Sequence, residues 1–180
     1  MTEIEIKDIA IIIGGAITAI STLCAVLITS RFNLKLAKIN IDAQAQQKNE
    51  ERKIQKIEDM YLLFEKWEAN FSNIYIMHLR CYCGKLDYKS VMELTKDSAM
   101  FAPGDFQKLK MLMNVHFPEI ASEHKKVDDA RRKIVPFLSD PKESKLNPKD
   151  FVKLQEDFET VCATFKMQIS DLANKAPAQL

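Results

Sequence analysis

Glycine is scarce in this chain: four residues in 180, and only Gly84 and Gly104 lie outside one uncharged stretch near the N-terminus. Hairpin turns, phosphate-binding loops and dinucleotide-binding turns all need glycine at fixed positions, so those architectures are not expected. No G-x-S-x-G, Walker sequence or Ser-His-Asp context occurs. The Glu-x-x-His pairs that build di-metal sites inside helical bundles are missing too. The four cysteines, Cys24, Cys81, Cys83 and Cys162, form no C-x2-C pair. These gaps leave no catalytic residues to name, and no enzyme activity, cofactor or small-molecule substrate is expected.

Charge is the other absence. Residues 9–29 read IAIIIGGAITAISTLCAVLIT, with no ionisable side chain other than Cys24. At 1.5 Å per residue, a helix of that length crosses the roughly 30 Å hydrocarbon core of a bilayer once. A secretory signal peptide would begin with a basic segment and end in a small-residue cleavage site. Here Glu3, Glu5 and Asp8 face a single Lys7, and no A-x-A pattern follows. A core helix of a soluble protein would carry a polar face. This run has only Thr and Ser hydroxyls, which can bond back to the helix's own carbonyls. A retained membrane anchor is the prediction.

Flanking cations orient such an anchor. Lys7 precedes the run; Arg31, Lys35, Lys38, Lys48, Arg52, Lys53 and Lys56 follow it, against Asp42, Glu50 and Glu51. The bias puts the N-terminus outside and the C-terminal segment in the cytoplasm. The near-neutral total of +1 hides this asymmetry. Arg31, Lys35 and Lys38 are placed to meet anionic headgroups, each contributing about 1 kcal/mol near the surface, or to act as a topology signal alone. Charge held against a membrane makes nucleic acid a poor partner. Within the span, Gly15, Thr18, Ala19, Thr22 and Ala25 share one side of the helix, and small residues let transmembrane helices pack closely.

Beyond the span the spacing of apolar residues is helical. Residues 34–49 (with IDAQAQQKN) predict a polar helical stalk, a flexible linker being the alternative. Leu36, Ile39 and Ala43 start a seam that fades at Gln46 and Glu50. It returns as Ile54, Ile57, Tyr61, Phe64, Phe71, Tyr75 and His78, interrupted by Glu68, with Met60, Leu63, Trp67, Ile74 and Met77 on a neighbouring face. Apolar residues on two faces predict a central helix covered from more than one side. Gly84 suits its left-handed C-terminal residue. Asp87 suits the cap of a short helix with Tyr88, Val91 and Leu94 inward, and Asp105 the cap of the next, with Phe106, Leu109, Leu112 and Met113 inward. Pro118 stops that helix. Residues 118–138 predict a helix with Ile120, His124, Val127, Ala130, Ile134 and Phe137 on its seam. A polar loop (SDPKESKL) follows. Asn147-Pro148 opens a last helix with Phe151, Leu154, Phe158, Val161, Cys162, Phe165, Ile169 and Leu172 along one stripe, ending before Pro177.

The predicted fold class is therefore all-α. An extracytoplasmic tail (1–8) precedes a transmembrane helix (9–30), a basic helical stalk (31–52) and a cytosolic four-to-five-helix bundle (53–176). His78, Cys81 and Cys83 form H-x-x-C-x-C, a candidate metal or redox-sensing set that lacks the usual knuckle spacing and would need a fourth ligand from Cys162, His116 or His124. The simpler reading is reduced thiols at a helix end. His78, His116 and His124, on or near apolar seams, are expected as hydrogen-bonded core residues, and Asp128 and Asp129 as solvated helix surface. The aromatic excess around Trp67, Phe71 and Tyr75 marks either a candidate interaction surface or a densely filled core.

The stretches EDMYLLFEKWEANFSNIYIMHL and FQKLKMLMNVHFPEI resemble parts of uncharacterised small bacterial single-pass membrane proteins with a cytosolic helical domain. That resemblance implies an anchored helical layout in a bacterial inner (plasma) membrane and no catalytic residues. Anchored helical proteins of this layout also serve as effectors of anti-phage systems. The function predicted is a membrane-anchored, non-enzymatic interaction module whose partners are the lipid bilayer and either a cytosolic protein or further copies of itself. The alternatives are a membrane-active effector whose spans oligomerise, and a metal or redox sensor.

Overall fold

Helix formers dominate the chain, and every regular element among the described residues is helical. The computed structural model describes residues 3–97 and 102–174. Met1 and Thr2 of the expected tail, and residues 175 and 176 at the expected end of the bundle, lie outside them. The elements run α1 (Glu3–Tyr82), α2 (Tyr88–Asp97), α3 (Asp105–Met111), a π turn (Leu112–His116), α4 (Pro118–Ile134), a 3-10 turn (Val135–Leu138), α5 (Pro141–Ser144) and α6 (Pro148–Asn174). The chain divides into two units, Met1–Glu50 and Glu51–Leu180.

The first unit consists of α1 up to Glu50. α1 is the one helix among the described residues long and apolar enough to cross a membrane, and none of its apolar window is buried by the rest of the protein. Thr18 Oγ1 donates to the Gly14 carbonyl at 2.9 Å and Thr22 Oγ1 to the Thr18 carbonyl at 2.8 Å. The hydroxyls are thus satisfied inside the helix, as an apolar solvent requires of every donor.

The second unit is held by an aromatic core. From α1 it takes Ile57, Met60, Leu63, Phe64, Trp67 and Tyr75, and these pack with α3, α4 and α6 into one buried cluster. Two centres stand out. Phe64 and Phe165 lie 4.7 Å apart between ring centroids, and Trp67 and Tyr75 both contact Phe158. Farther along, Tyr82, Phe137 and Phe151 touch one another, the last two at 4.9 Å. All six seam residues of residues 118–138 are buried, as the spacing requires. The one charged interruption of the α1 seam has a partner: Glu68 Oε2 meets Lys166 Nζ of α6 at 2.7 Å.

Local signals set most boundaries. Gly84 sits at φ +68, and the Lys85 N–H reaches the Arg80 carbonyl while the Gly84 N–H reaches that of Cys81. This doubly bonded ending satisfies carbonyls the helix would otherwise leave open, and the left-handed residue disfavours any side chain larger than glycine's. Asp87 caps α2 through the Ser90 N–H, and Asn147 caps α6 through the Lys149 N–H, both at 2.9 Å.

Four expectations need correction. Asp105 does not cap α3: Gly104 holds the capping position at φ +95, and the Asp105 carboxylate turns back to the Ala102 N–H. Leu94 stays 47% exposed because each i+3 step drifts about 60° around a helix, which carries it about 120° from Tyr88 and off the covered face. Ile54 is exposed, one turn ahead of the first covered residue, Ile57. Residues 139–146 are not all loop: Asp140 caps the one-turn α5 from ahead of Pro141, the same acceptor-then-proline signal that opens α6.

Phe158, fully buried between Trp67 and Tyr75, gives a direct test of the core. Phe158→Ala is expected to lower unfolding stability by about 3–5 kcal/mol. Trp67 is the sole tryptophan and lies in this cluster. Its fluorescence during denaturant unfolding of the full chain in detergent measures the loss.

Candidate functional site

Two places carry the residues singled out in the sequence: one helix face in the first unit, and the aromatic–histidine centre of the second.

At 100° per residue, Gly15, Thr18, Ala19, Thr22 and Ala25 fall within about 120° of arc on α1. A Cβ added at Gly14 or Gly15 would meet nothing within 4 Å, so this face is open. Arg31, Lys35 and Lys38 are exposed on the same helix. They fall within about 60° of one another and on the opposite side from the small residues. The helix therefore presents one face that permits close approach and another that carries cations.

The second place centres on His124 of α4. Its ring packs against Phe165 (5.5 Å), Trp67 (5.9 Å) and Phe64 (6.3 Å). Nδ1 lies 3.8 Å from Asp128 Oδ2, too long for a hydrogen bond, while Arg131 Nε reaches Asp128 Oδ1 at 3.3 Å. Nε2 is buried with no hydrogen-bond partner. Burial pushes the His124 pKa below the usual 6.5, against the pull of Asp128, with the nearby Lys110 and Arg131 lowering it further. His78 is also held down by burial, its Nδ1 equally without a partner and its ring against Tyr88. Tyr75 Oη is the third such atom among the described residues, and burial pushes its hydroxyl pKa well up. The expectation of hydrogen-bonded core histidines is therefore corrected for His116, which is exposed, and at these atoms of His78 and His124. They were placed by shape and aromatic contact rather than by polar partners.

The expected interaction surface is redistributed as well. Trp67 and Tyr75 face inward, 4% and 1% exposed, because α6 covers them; Phe71 is half-buried. Trp67 and Phe71 still line a hollow of about 290 Å³ with Asn70, Phe106, Asp128 and Arg131. Arg131 lies over the Phe71 ring at 5.4 Å. Asp128 and Arg131 are thus part of a packed corner, not solvated surface. Their position was legible: Asp128 and Arg131 follow His124 by four and seven residues, on the face that meets α1.

The structure separates the candidate metal set. Cys81 is buried and Cys83 exposed, and among the described residues no three His, Cys, Asp or Glu side chains converge to hold an ion. Burial, then the nearby Asp140 and Asp87, pushes the Cys81 thiol up, which keeps it protonated and a poor ligand. Of the suggested fourth ligands, Cys162 is buried in the core and His116 Nδ1 faces Lys56 Nζ at 3.4 Å.

Among known proteins, no family model, curated protein or solved structure matches this chain.

The neutral histidines set a pH dependence. As pH falls through 6.5 the unfolded chain takes up protons that folded His78 and His124 resist, so stability is full above that pH and declines below it. Unfolding midpoints are expected to fall between pH 7.5 and 5.5, by at most about 1.4 kcal/mol per pH unit for each histidine. His124→Gln should remove part of that slope. An unchanged slope would show that burial does not hold His124 neutral.

Proposed function

We propose that this chain is a membrane-anchored, non-enzymatic helical interaction module. Residues 9–30 cross a bacterial inner membrane once, residues 1–8 lie outside, and residues 31–52 form a basic stalk. Residues 53–176 form a cytoplasmic bundle of four to five helices that associates with a protein partner or with further copies of the chain. One observation carries the reading: the apolar window in the first part of α1 is left bare by the rest of the chain, while the second unit has a dense core of its own. A bare apolar helix of that length is stable in hydrocarbon and costly in water. The cations after the run supply the orientation, and the layout matches the small bacterial single-pass proteins that the sequence resembles.

A second reading has the same span assemble with its copies to breach the bilayer, and the open small-residue face favours it. Membrane potential distinguishes the two. The effector reading predicts depolarised cells when the intact chain is expressed and none with a chain beginning at Asn33.

The anchor is tested by extraction. The intact chain is expected to stay in the membrane pellet at alkaline pH, and a chain beginning at Asn33 to be soluble. Protease added outside spheroplasts should leave residues 31–180 uncut. Release of the intact chain by alkali would overturn the reading.

A further inference from the structure

The heptad pattern on α1 does not stop at the membrane boundary. Gly15, Thr22, Thr29, Leu36 and Ala43 are seven residues apart, and Thr18, Ala25, Phe32, Ile39 and Gln46 repeat the spacing three residues behind. Both rows lie in the first unit, and all these residues are exposed. In the span the rows are small residues. Past the span they become Phe32, Leu36 and Ile39, which remain 60%, 43% and 53% exposed although the neighbouring sequence is charged. Sustained heptads with large apolar residues at aqueous positions are the pattern of helices that wind around one another.

We propose that this seam binds a second copy of the chain, as a parallel pair of helices continuous from the bilayer into the stalk. The inference rests on the anchored reading above and names its partner. Two features select a copy of the same chain. Both copies enter the membrane in one orientation, so the pairing is parallel and each seam residue meets its own counterpart. The charges fit that arrangement. Arg31, Lys38 and Lys48 lie off the seam. Lys35 and Asp42, which flank it, fall opposite Asn40 and Gln47 of the second helix in parallel register, where amides can accept or donate and no like charges meet. The seam ends where charge enters it, at Glu50. Within the bilayer the Thr18 and Thr22 hydroxyls of the seam are already bonded, to the Gly14 and Thr18 carbonyls, so at these two positions the backbones approach on shape alone.

Cysteine cross-linking of the full chain in native membranes tests this with matched neighbours. The background carries Cys83→Ser, and Cys24→Ser except where Cys24 is itself the probe; the buried Cys81 and Cys162 stay. Ala25→Cys is compared with native Cys24, Leu36→Cys with Leu34→Cys, and Ala43→Cys with Ala45→Cys. Seam positions are expected to give disulfide-linked dimers with about tenfold higher yield than their off-seam neighbours, because only they come within bridging distance. Equal yields within each pair, or no dimer from any variant while the chain stays in alkali-washed membranes, would overturn the pairing and leave the anchor standing. Release of the chain by alkali would overturn both.

Discussion

Coverage of α1 by the rest of the chain is the constraint on which the structure depends. From Ile57 onward one side of it, including Ile57, Met60, Leu63, Phe64, Trp67 and Tyr75, is buried, chiefly against α4 and α6, while Leu62 and Ile76 stay exposed. Up to Glu50 no apolar residue among the described side chains is covered. On the anchored reading the two regions meet opposite physical requirements. A helix in hydrocarbon must satisfy every donor internally and gains nothing from hydrophobic burial. A helix in water draws its stability from packing an apolar face, since isolated helices are marginal. The residue choices follow: Gly, Ala and back-bonded Thr in one region, Phe, Trp, Tyr and Met in the other.

Aromatic packing dominates the second unit so strongly that it overrides polar satisfaction. His124 sits among Phe64, Trp67 and Phe165 with one ring nitrogen unpaired, and Tyr75 Oη is likewise alone. An unpaired buried polar atom costs about 1–3 kcal/mol. Three in one small domain are a substantial fraction of the 5–15 kcal/mol that keeps a domain folded. The compensation is ring area: Phe64, Phe151, Phe158 and Phe165 are all essentially inaccessible to solvent. At about 25 cal/mol per Å² such rings outweigh the unpaired atoms at neutral pH. The balance narrows in acid, when the histidines gain a reason to be exposed.

Periodicity made the helices and their inward faces legible. The stripes of α4 and α6 follow the 3.6-residue period, and no buried residue of α4 lies off its seam. Capping by Asp87 and Asn147 was equally readable, because a short acceptor side chain before a helical run has one economical use. The misses share a cause: they depend on neighbours, not on local pattern. Leu94 has the right type for a core, but its drift around α2 turns it outward. Asp105 could cap, but Gly104 already occupies the left-handed position ahead of α3. The interaction reading of Trp67 and Tyr75 failed because a single sequence shows apolar excess on α1 without showing how much of it α4 and α6 cover. Asp128 was misread as solvated for the same reason: the Phe71 ring over which its partner Arg131 lies comes from another helix.

Residues 31–50 hold the least settled balance in the chain. On the anchored reading proposed above, the solvent there changes from hydrocarbon through headgroups to water, yet Phe32, Leu36 and Ile39 keep a spacing that packing rewards. A straight α-helix drifts about 20° per heptad from a seven-residue repeat. On a lone helix a seam that long would spiral away from any fixed neighbour. It remains one contact line only where two such helices wind around each other with a left-handed twist. The repeat is therefore costly for a solitary stalk, which would be better served by charge on every face, and consistent for a paired one. On the anchored reading the span adds the same preference by another route, since small residues stabilise a helix in a bilayer only when a second helix comes close enough to use them.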